Sequence, residues 1–73
     1  MKKDIIKVGS IVEFTDWYDR SHKTANIIYG VVFSEWGTKN EKSIRIQWFD
    51  GKTSLEHVVK NKIVNQDIKI ISY

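Results

Sequence analysis

The Asp50-Gly51 pair constrains this chain more than any other feature, because it separates two runs of alternating apolar and polar residues. An Asp-Gly pair in that setting is the strongest short-range signal for a β-hairpin. With these two residues as the loop, Trp48 is predicted to face Thr53 and Ile46 to face Leu55. The sequence therefore predicts a hairpin over residues 43–56.

The predicted register divides the hairpin into an apolar and a polar face, since directly opposed residues share a face. The side expected to face the core holds Ile44, Ile46, Trp48, Thr53 and Leu55. The other side, expected in water, holds Arg45, Gln47, Phe49, Lys52, Ser54 and Glu56. On this polar side Arg45 would oppose Glu56, a cross-strand pair worth about 0.2–1 kcal/mol.

Size and composition indicate one small soluble domain. A chain of 73 residues buries only about 60% of the surface that its unfolded form exposes. The 12 basic and 9 acidic residues leave a net charge of +3, which favours weak attraction to polyanions. Without cysteine, neither a disulfide nor a thiolate zinc site can form, and the two scattered histidines, His22 and His57, do not suggest a metal site. We expect no cofactor, no membrane association and a cytoplasmic location.

The segments outside the hairpin predict further short strands. Residues 1–7 form a charged lead, expected to be a flexible or edge-strand arm, and residues 8–73 form the single domain. In the strand that follows Gly9, Val12 and Phe14 are the predicted core residues. Residues 16–26 are polar and aperiodic, which predicts a long loop.

Residues 27–36 are apolar on both faces, as in a central strand, and Gly30 would permit a bulge or a sharp bend there. A polar turn follows at 37–42. The stretch 60–66 is too short and polar for a full helix and predicts a single helical or 3₁₀ turn, while 67–72 predicts a closing strand.

Such short strands cannot leave a flat sheet with an exposed apolar face, so the sheet must curl on itself or pair with another chain. The predicted fold is all-β, a small five-stranded barrel with at most one short 3₁₀ or helical turn. The pattern of Val8-Gly9-Ser10-Ile11-Val12, Gly30-Val31-Val32, residues 44–51 and Ile68-Lys69-Ile70-Ile71 resembles SH3-like barrels of the Tudor and KOW type. It is also similar to small barrel proteins of tailed phages, which implies a viral protein acting in the host cytoplasm.

The Tudor-type resemblance implies an aromatic ligand site between two loops, where rings bind a methylated Lys or Arg by cation–π attraction. Its candidates here are Trp17, Tyr18, Trp36, Phe49 and Asp50. The alternative is structural: Trp17 would plug one end of the barrel and Trp36 would merely end a strand, because so small a core needs its large rings.

A basic set predicts a nucleic-acid interface that holds a phosphate backbone and stacks a base on Phe49 or Trp17. Its members are Arg20, Lys23, Arg45, Lys52 and Phe49. The alternative is a solvated face whose charges are balanced by nearby Glu and Asp residues. His57 is predicted to lie opposite Ile44 on the inner face.

No catalytic motif is present, so we expect a binding protein and no enzyme. The leading hypothesis is a nucleic-acid-associated module. The alternative is a protein-interaction module, such as a virus-encoded host-factor inhibitor or a virion component. The sequence leaves the oligomeric state open.

Overall fold

The computed structural model describes residues 5–19, 21 and 24–73. Its strands are β1 (Ile11–Asp19), β2 (Thr24–Gly37), β3 (Glu41–Trp48), β4 (Thr53–Val59), β5 (Lys62–Ile63) and β6 (Ile68–Ser72). They form one antiparallel sheet in the order β5-β4-β3-β2-β1-β6, with β2 in a central position as predicted. The sheet curls into a nearly closed barrel, which is compatible with an SH3-like barrel.

The all-β class is confirmed, but the described residues form six strands where the sequence predicted five. None of them lies in a helix, so none could cross a membrane as a helix. The closing strand is present as β6, and residues 38–40 form the predicted turn between β2 and β3.

Alternation along the strands places one set of side chains inside the barrel. The buried core consists of Ile6, Val12, Val32, Ile44, Ile46, Trp48, Val58 and Ile68. Phe14 packs against this cluster, and its ring centroid lies 5.7 Å from that of Trp48. Trp48 also donates a hydrogen bond from Nε1 to Ser54 Oγ at 2.8 Å, which satisfies the indole nitrogen inside the barrel.

Gly30 allows the Trp48 ring to pack directly against the backbone of β2. A Cβ atom at this position would lie 2.6 Å from Trp48 Cε3, closer than real carbon atoms approach. The bulge in β2 falls between Val32 and Ser34, where the pairing with β3 shifts. The glycine therefore serves the close approach of a ring, and the bulge lies further along the strand.

The β3–β4 hairpin forms where the sequence predicts it, but its register differs by one residue. Gly51 N donates to Trp48 O at 3.0 Å and Trp48 N donates to Lys52 O at 2.8 Å, so the loop contains three residues, 49–51. Gly51 has a φ of +93°, the left-handed conformation that ends such a three-residue loop. The prediction of a two-residue loop was wrong because an Asp-Gly pair fits both loop lengths.

The shift reverses the two faces of β4. Leu55 pairs with Arg45 and is 60% exposed, and Thr53 is exposed as well, so neither belongs to the core. Val58 is buried in their place. His57 pairs with Ser43 on the outer side, not with Ile44, and its Nε2 lies 3.2 Å from Glu41 Oε1.

The long loop predicted at 16–26 is largely a two-stranded ribbon. Asp16 pairs with Asn26 and Trp17 with Ala25, beyond the point where β1 contacts β6. Because this ribbon extends beyond the barrel, its residues do not alternate between core and solvent. The sequence therefore lacks the apolar alternation from which a strand is predicted.

The helical turn predicted at 60–66 is also absent. Lys60 and Asn61 both have positive φ angles, 51° and 62°, and Val59 pairs with Lys62. Two successive left-handed residues between paired strands make a hairpin turn of type I′. This turn creates β5 and accounts for the additional strand.

The lead segment contributes to the barrel through Ile6, which is completely buried in the core. Its backbone N–H donates to Asn61 Oδ1 at 2.9 Å, and its carbonyl accepts a hydrogen bond from Lys42 Nζ. The same ammonium group lies 3.3 Å from Glu35 Oε2. Lys42 on β3 and Asn61 in the β4–β5 turn therefore bind the backbone of this residue, and Glu35 on β2 holds the Lys42 side chain.

Candidate interaction surface

The outer side of β2, β3 and β4 exposes a row of large apolar side chains. Val32 on β2 and Ile44 and Ile46 on β3 are buried and point inward. Side chains alternate along a strand, so the neighbours of these residues point to solvent. We call this surface the aromatic face and define it by Tyr29, Phe33, Trp36, Arg45, Phe49 and Leu55. Its five apolar members are all exposed by more than two fifths of their surface.

Tyr29 and Phe49 lie next to each other at the end of this face near the β3–β4 loop. Phe49 N donates to Tyr29 O at 2.9 Å, which continues the pairing of β2 with β3 beyond Trp48. Residues opposed in this way share a face of the sheet. Phe49 is 70% exposed, so its ring stands largely in water beside the Tyr29 side chain.

Arg45 and Trp36 occupy the other end of the face. The guanidinium carbon of Arg45 lies 5.7 Å from the centroid of the Trp36 ring, within the range of a cation–π contact. Arg45 is flanked by Ser34 on β2 and by Leu55 on β4. The bulge after Val32 adds Phe33 to the residues around it, since two β2 residues there oppose one β3 residue.

The predicted aromatic site is distributed over the barrel. Trp36 pairs with Ser43 and Phe49 follows the last residue of β3, so six residues of strand, or about 20 Å, separate them. Trp17 lies on the ribbon, where its Nε1 donates to Asp67 Oδ1 at 3.3 Å. Asp50 Oδ1 accepts a hydrogen bond from Lys52 N and so supports the loop. The side chain of Tyr18 lies outside the described residues.

The predicted basic interface is described only in part. Arg45 lies on the aromatic face, and Lys52 is exposed directly after the loop that carries Phe49. Arg20 and Lys23 lie outside the described residues, as does His22. Arg45 therefore lies against an exposed ring, whereas Lys52 opposes the inward-facing Trp48 and does not share the face of Phe49 as the two-residue loop predicted.

Three members of the aromatic face, Tyr29, Phe33 and Leu55, are not among the site residues predicted from the sequence. A signal for the first two was present, because residues 27–36 are apolar on both faces and only one face can point into the barrel. Leu55 is predicted in the core, and its exposure could not be predicted from neighbouring residues because it depends on the hairpin register.

Within the described part of the chain, no cluster of three or more His, Asp or Glu side chains could hold a metal ion. Comparison with known proteins finds no matching family model, no matching curated protein and no matching solved structure. The geometry of the aromatic face is therefore the main basis for a functional proposal.

Proposed function

We propose that this barrel is a protein-interaction module that binds its partner through the aromatic face. The observation that carries the proposal is the exposure of five large apolar side chains on one side of the sheet, among them Phe49 and Leu55. Several large apolar side chains exposed on one side of a small sheet favour an interaction site, because leaving them in water costs free energy that contact with a partner recovers.

The composition of the face also supports a protein partner. Tyr, Trp, Phe and Arg are enriched at the centres of protein interfaces, whereas Lys is depleted there. The aromatic face contains those four residue types and no lysine. Arg45 would arrive at the interface already oriented by the Trp36 ring, which reduces the conformational entropy lost on binding.

The likeness to Tudor- and KOW-type barrels supports a binding role without defining the ligand. A cage for a methylated Lys or Arg needs several rings around one cation, and Trp36 and Phe49 lie too far apart to share one. We therefore propose an extended apolar partner surface. A virus-encoded inhibitor of a host factor or a virion component, acting in the host cytoplasm, is the setting that the phage likeness favours.

The double variant Trp36→Ser/Phe49→Ser tests this proposal. The immobilised protein is exposed to nuclease-treated cell lysate, and captured proteins are identified after cross-linking. We expect a partner that wild type retains and the variant loses, because both ends of the face lose their rings. Val64→Ser is the control, since the exposure of Val64 lies between those of Trp36 and Phe49 but the residue is outside the face. An identical set of captured proteins for all three forms would refute the role of the face.

Binding of a single-stranded nucleic acid is a second candidate, favoured by the end of the face near the loop. The exposed Tyr29 and Phe49 rings lie next to each other there, Lys52 is exposed directly after the same loop, and the chain carries a net charge of +3. Exposed rings next to cations can stack bases while the cations contact phosphates.

Titration with short oligonucleotides at low salt distinguishes the two candidates. Nucleic-acid binding predicts a Kd below about 100 μM that weakens steeply as salt is added. Phe49→Ala should then reduce affinity for all base sequences, because stacking does not depend on base identity. Binding weaker than this limit, with an unchanged response for Phe49→Ala, would exclude the candidate.

A further inference from the structure

The barrel is open along one seam, between β5 and β6. These strands stand at the two ends of the sheet order, so each has a strand neighbour on one side only in the described structure. A groove of about 290 Å³ lies along the seam. We call it the seam groove; the residues that matter for its chemistry are Ile63, Ile68, Ile70, Lys62, Lys69 and Tyr73.

The backbone of β6 offers hydrogen-bonding groups to this groove. Thr15 N donates to Asp67 O at 3.0 Å, so Asp67 directs its carbonyl toward β1. Bonding alternates along an antiparallel strand, and the N–H of Ile68 accordingly donates to Asn65 O rather than to β1. By the same alternation, the N–H and C=O of Ile70 point away from β1 and into the seam.

The side chains of the groove define what could pair there. Ile68 and Ile70 face the inside of the barrel, while Lys69 lies between them and is exposed. Lys62 is exposed on the opposite side of the groove, and none of the described side chains that line it is a carboxylate. The groove is thus apolar at its base and positively charged at its rim.

We propose that the free edge of β6 binds an extended acidic peptide of a partner protein as an additional strand. In such a strand, apolar side chains would oppose Ile68 and Ile70, since opposed residues share a face. The alternate side chains would oppose Lys69, which favours Glu or Asp at those positions. Strand addition at a free sheet edge takes its affinity from main-chain hydrogen bonds and its specificity from alternate side chains. This surface is separate from the aromatic face, which lies on β2, β3 and β4.

The test uses a fluorescein-labelled peptide in which glutamate and valine alternate, measured by fluorescence anisotropy against the full chain. We expect saturable binding that is lost when the backbone nitrogens facing β6 are methylated. Lys62→Glu/Lys69→Glu should weaken binding about tenfold, because two attractive charge pairs become repulsive. Lys39→Glu, which reverses one charge on an exposed loop outside the groove, is the control and should bind as wild type does.

Amide hydrogen exchange locates the peptide. The Ile70 amide should become protected when the peptide is added. Equal affinity for the methylated peptide or for the Lys62→Glu/Lys69→Glu variant would overturn the proposal. Sedimentation as a dimer that does not bind the peptide would also overturn it, because the edge would then pair with a second copy of the chain. Loss of peptide binding in Trp36→Ser/Phe49→Ser would overturn it as well. An unchanged affinity in that last variant keeps this inference independent of the function proposed for the aromatic face.

Discussion

At the scale of single residues, Leu55 and Ile46 show how one position of register decides what a side chain does. Both are large aliphatic residues on neighbouring strands, yet Ile46 is fully buried and Leu55 is largely in water. The difference arises because Leu55 opposes Arg45, which points outward. Whether a side chain is buried therefore depends on which residue it opposes across the sheet, and not on its hydrophobicity alone.

Truncating these two residues should have very different effects on stability. Ile46→Ala is expected to lower the free energy of unfolding by about 2–5 kcal/mol, because it removes buried methylene groups and leaves a cavity. Leu55→Ala is expected to change it by no more than about 0.5 kcal/mol. Urea unfolding followed by tryptophan fluorescence measures both. Equal losses would place Leu55 in the core, as the two-residue loop predicted.

Gly30 gives a second prediction at this scale. Gly30→Ala should destabilise the protein by about 1–3 kcal/mol, because the added methyl group overlaps the Trp48 ring and the ring must move. Urea unfolding measures the loss, and near-UV circular dichroism reports the displaced indole. Ser34→Ala on the same strand is the control and should be nearly neutral. A Gly30→Ala protein as stable as wild type would mean that the ring has room to shift.

At the scale of elements, the turn between β4 and β5 contains one residue poorly suited to it, Lys60. Lys60 and Asn61 both adopt the left-handed conformation, in which Asn is tolerated far better than Lys. Asn61 is additionally required because its side chain accepts the hydrogen bond from Ile6 N. The strain in this turn therefore falls on Lys60.

Lys60→Asn should stabilise the protein because it relieves this strain without removing a described side-chain contact. We expect a gain of about 0.5 kcal/mol, or a rise in Tm of about 2–4 °C. Lys62→Asn is the control, since Asn is disfavoured in strands and should not stabilise there. Differential scanning calorimetry compares the variants. No rise for Lys60→Asn would argue against a left-handed turn at this position.

At the scale of the whole molecule, the barrel depends on contacts between segments that are far apart in the chain. Ile6 packs beneath Asn61 and Lys42, so the lead segment helps to hold β3 to the β4–β5 turn. A domain of this length has a total stability of only about 4–11 kcal/mol. One core residue near the start of the chain can therefore decide whether the barrel is folded.

Ile6→Ala should remove about 2–5 kcal/mol of the free energy of unfolding. Ile5→Ala is a matched control on the adjacent residue, whose side chain is 38% exposed, and it should cost far less. Thermal unfolding followed by circular dichroism measures both variants. Similar Tm values for the two would show that the lead segment contributes little to the barrel.

The candidate surface was predictable only in part. Exposure of Phe49 follows from its place beside the Asp-Gly turn, and the two apolar faces of β2 indicated that some rings must lie outside. The separation of Trp36 from Phe49 was not predictable, because it requires knowing that they lie at opposite ends of paired strands.

The sequence by itself determined the all-β class, the position of the β3–β4 hairpin and half of the buried core, namely Val12, Ile44, Ile46 and Trp48, because alternation and turn chemistry act over a few neighbouring residues. Only the tertiary structure decided the register of that hairpin, the pairing of the polar ribbon and the burial of Ile6. The physical reason is that each of these depends on contacts across the sheet, where a change of one residue in a loop moves side chains from core to solvent.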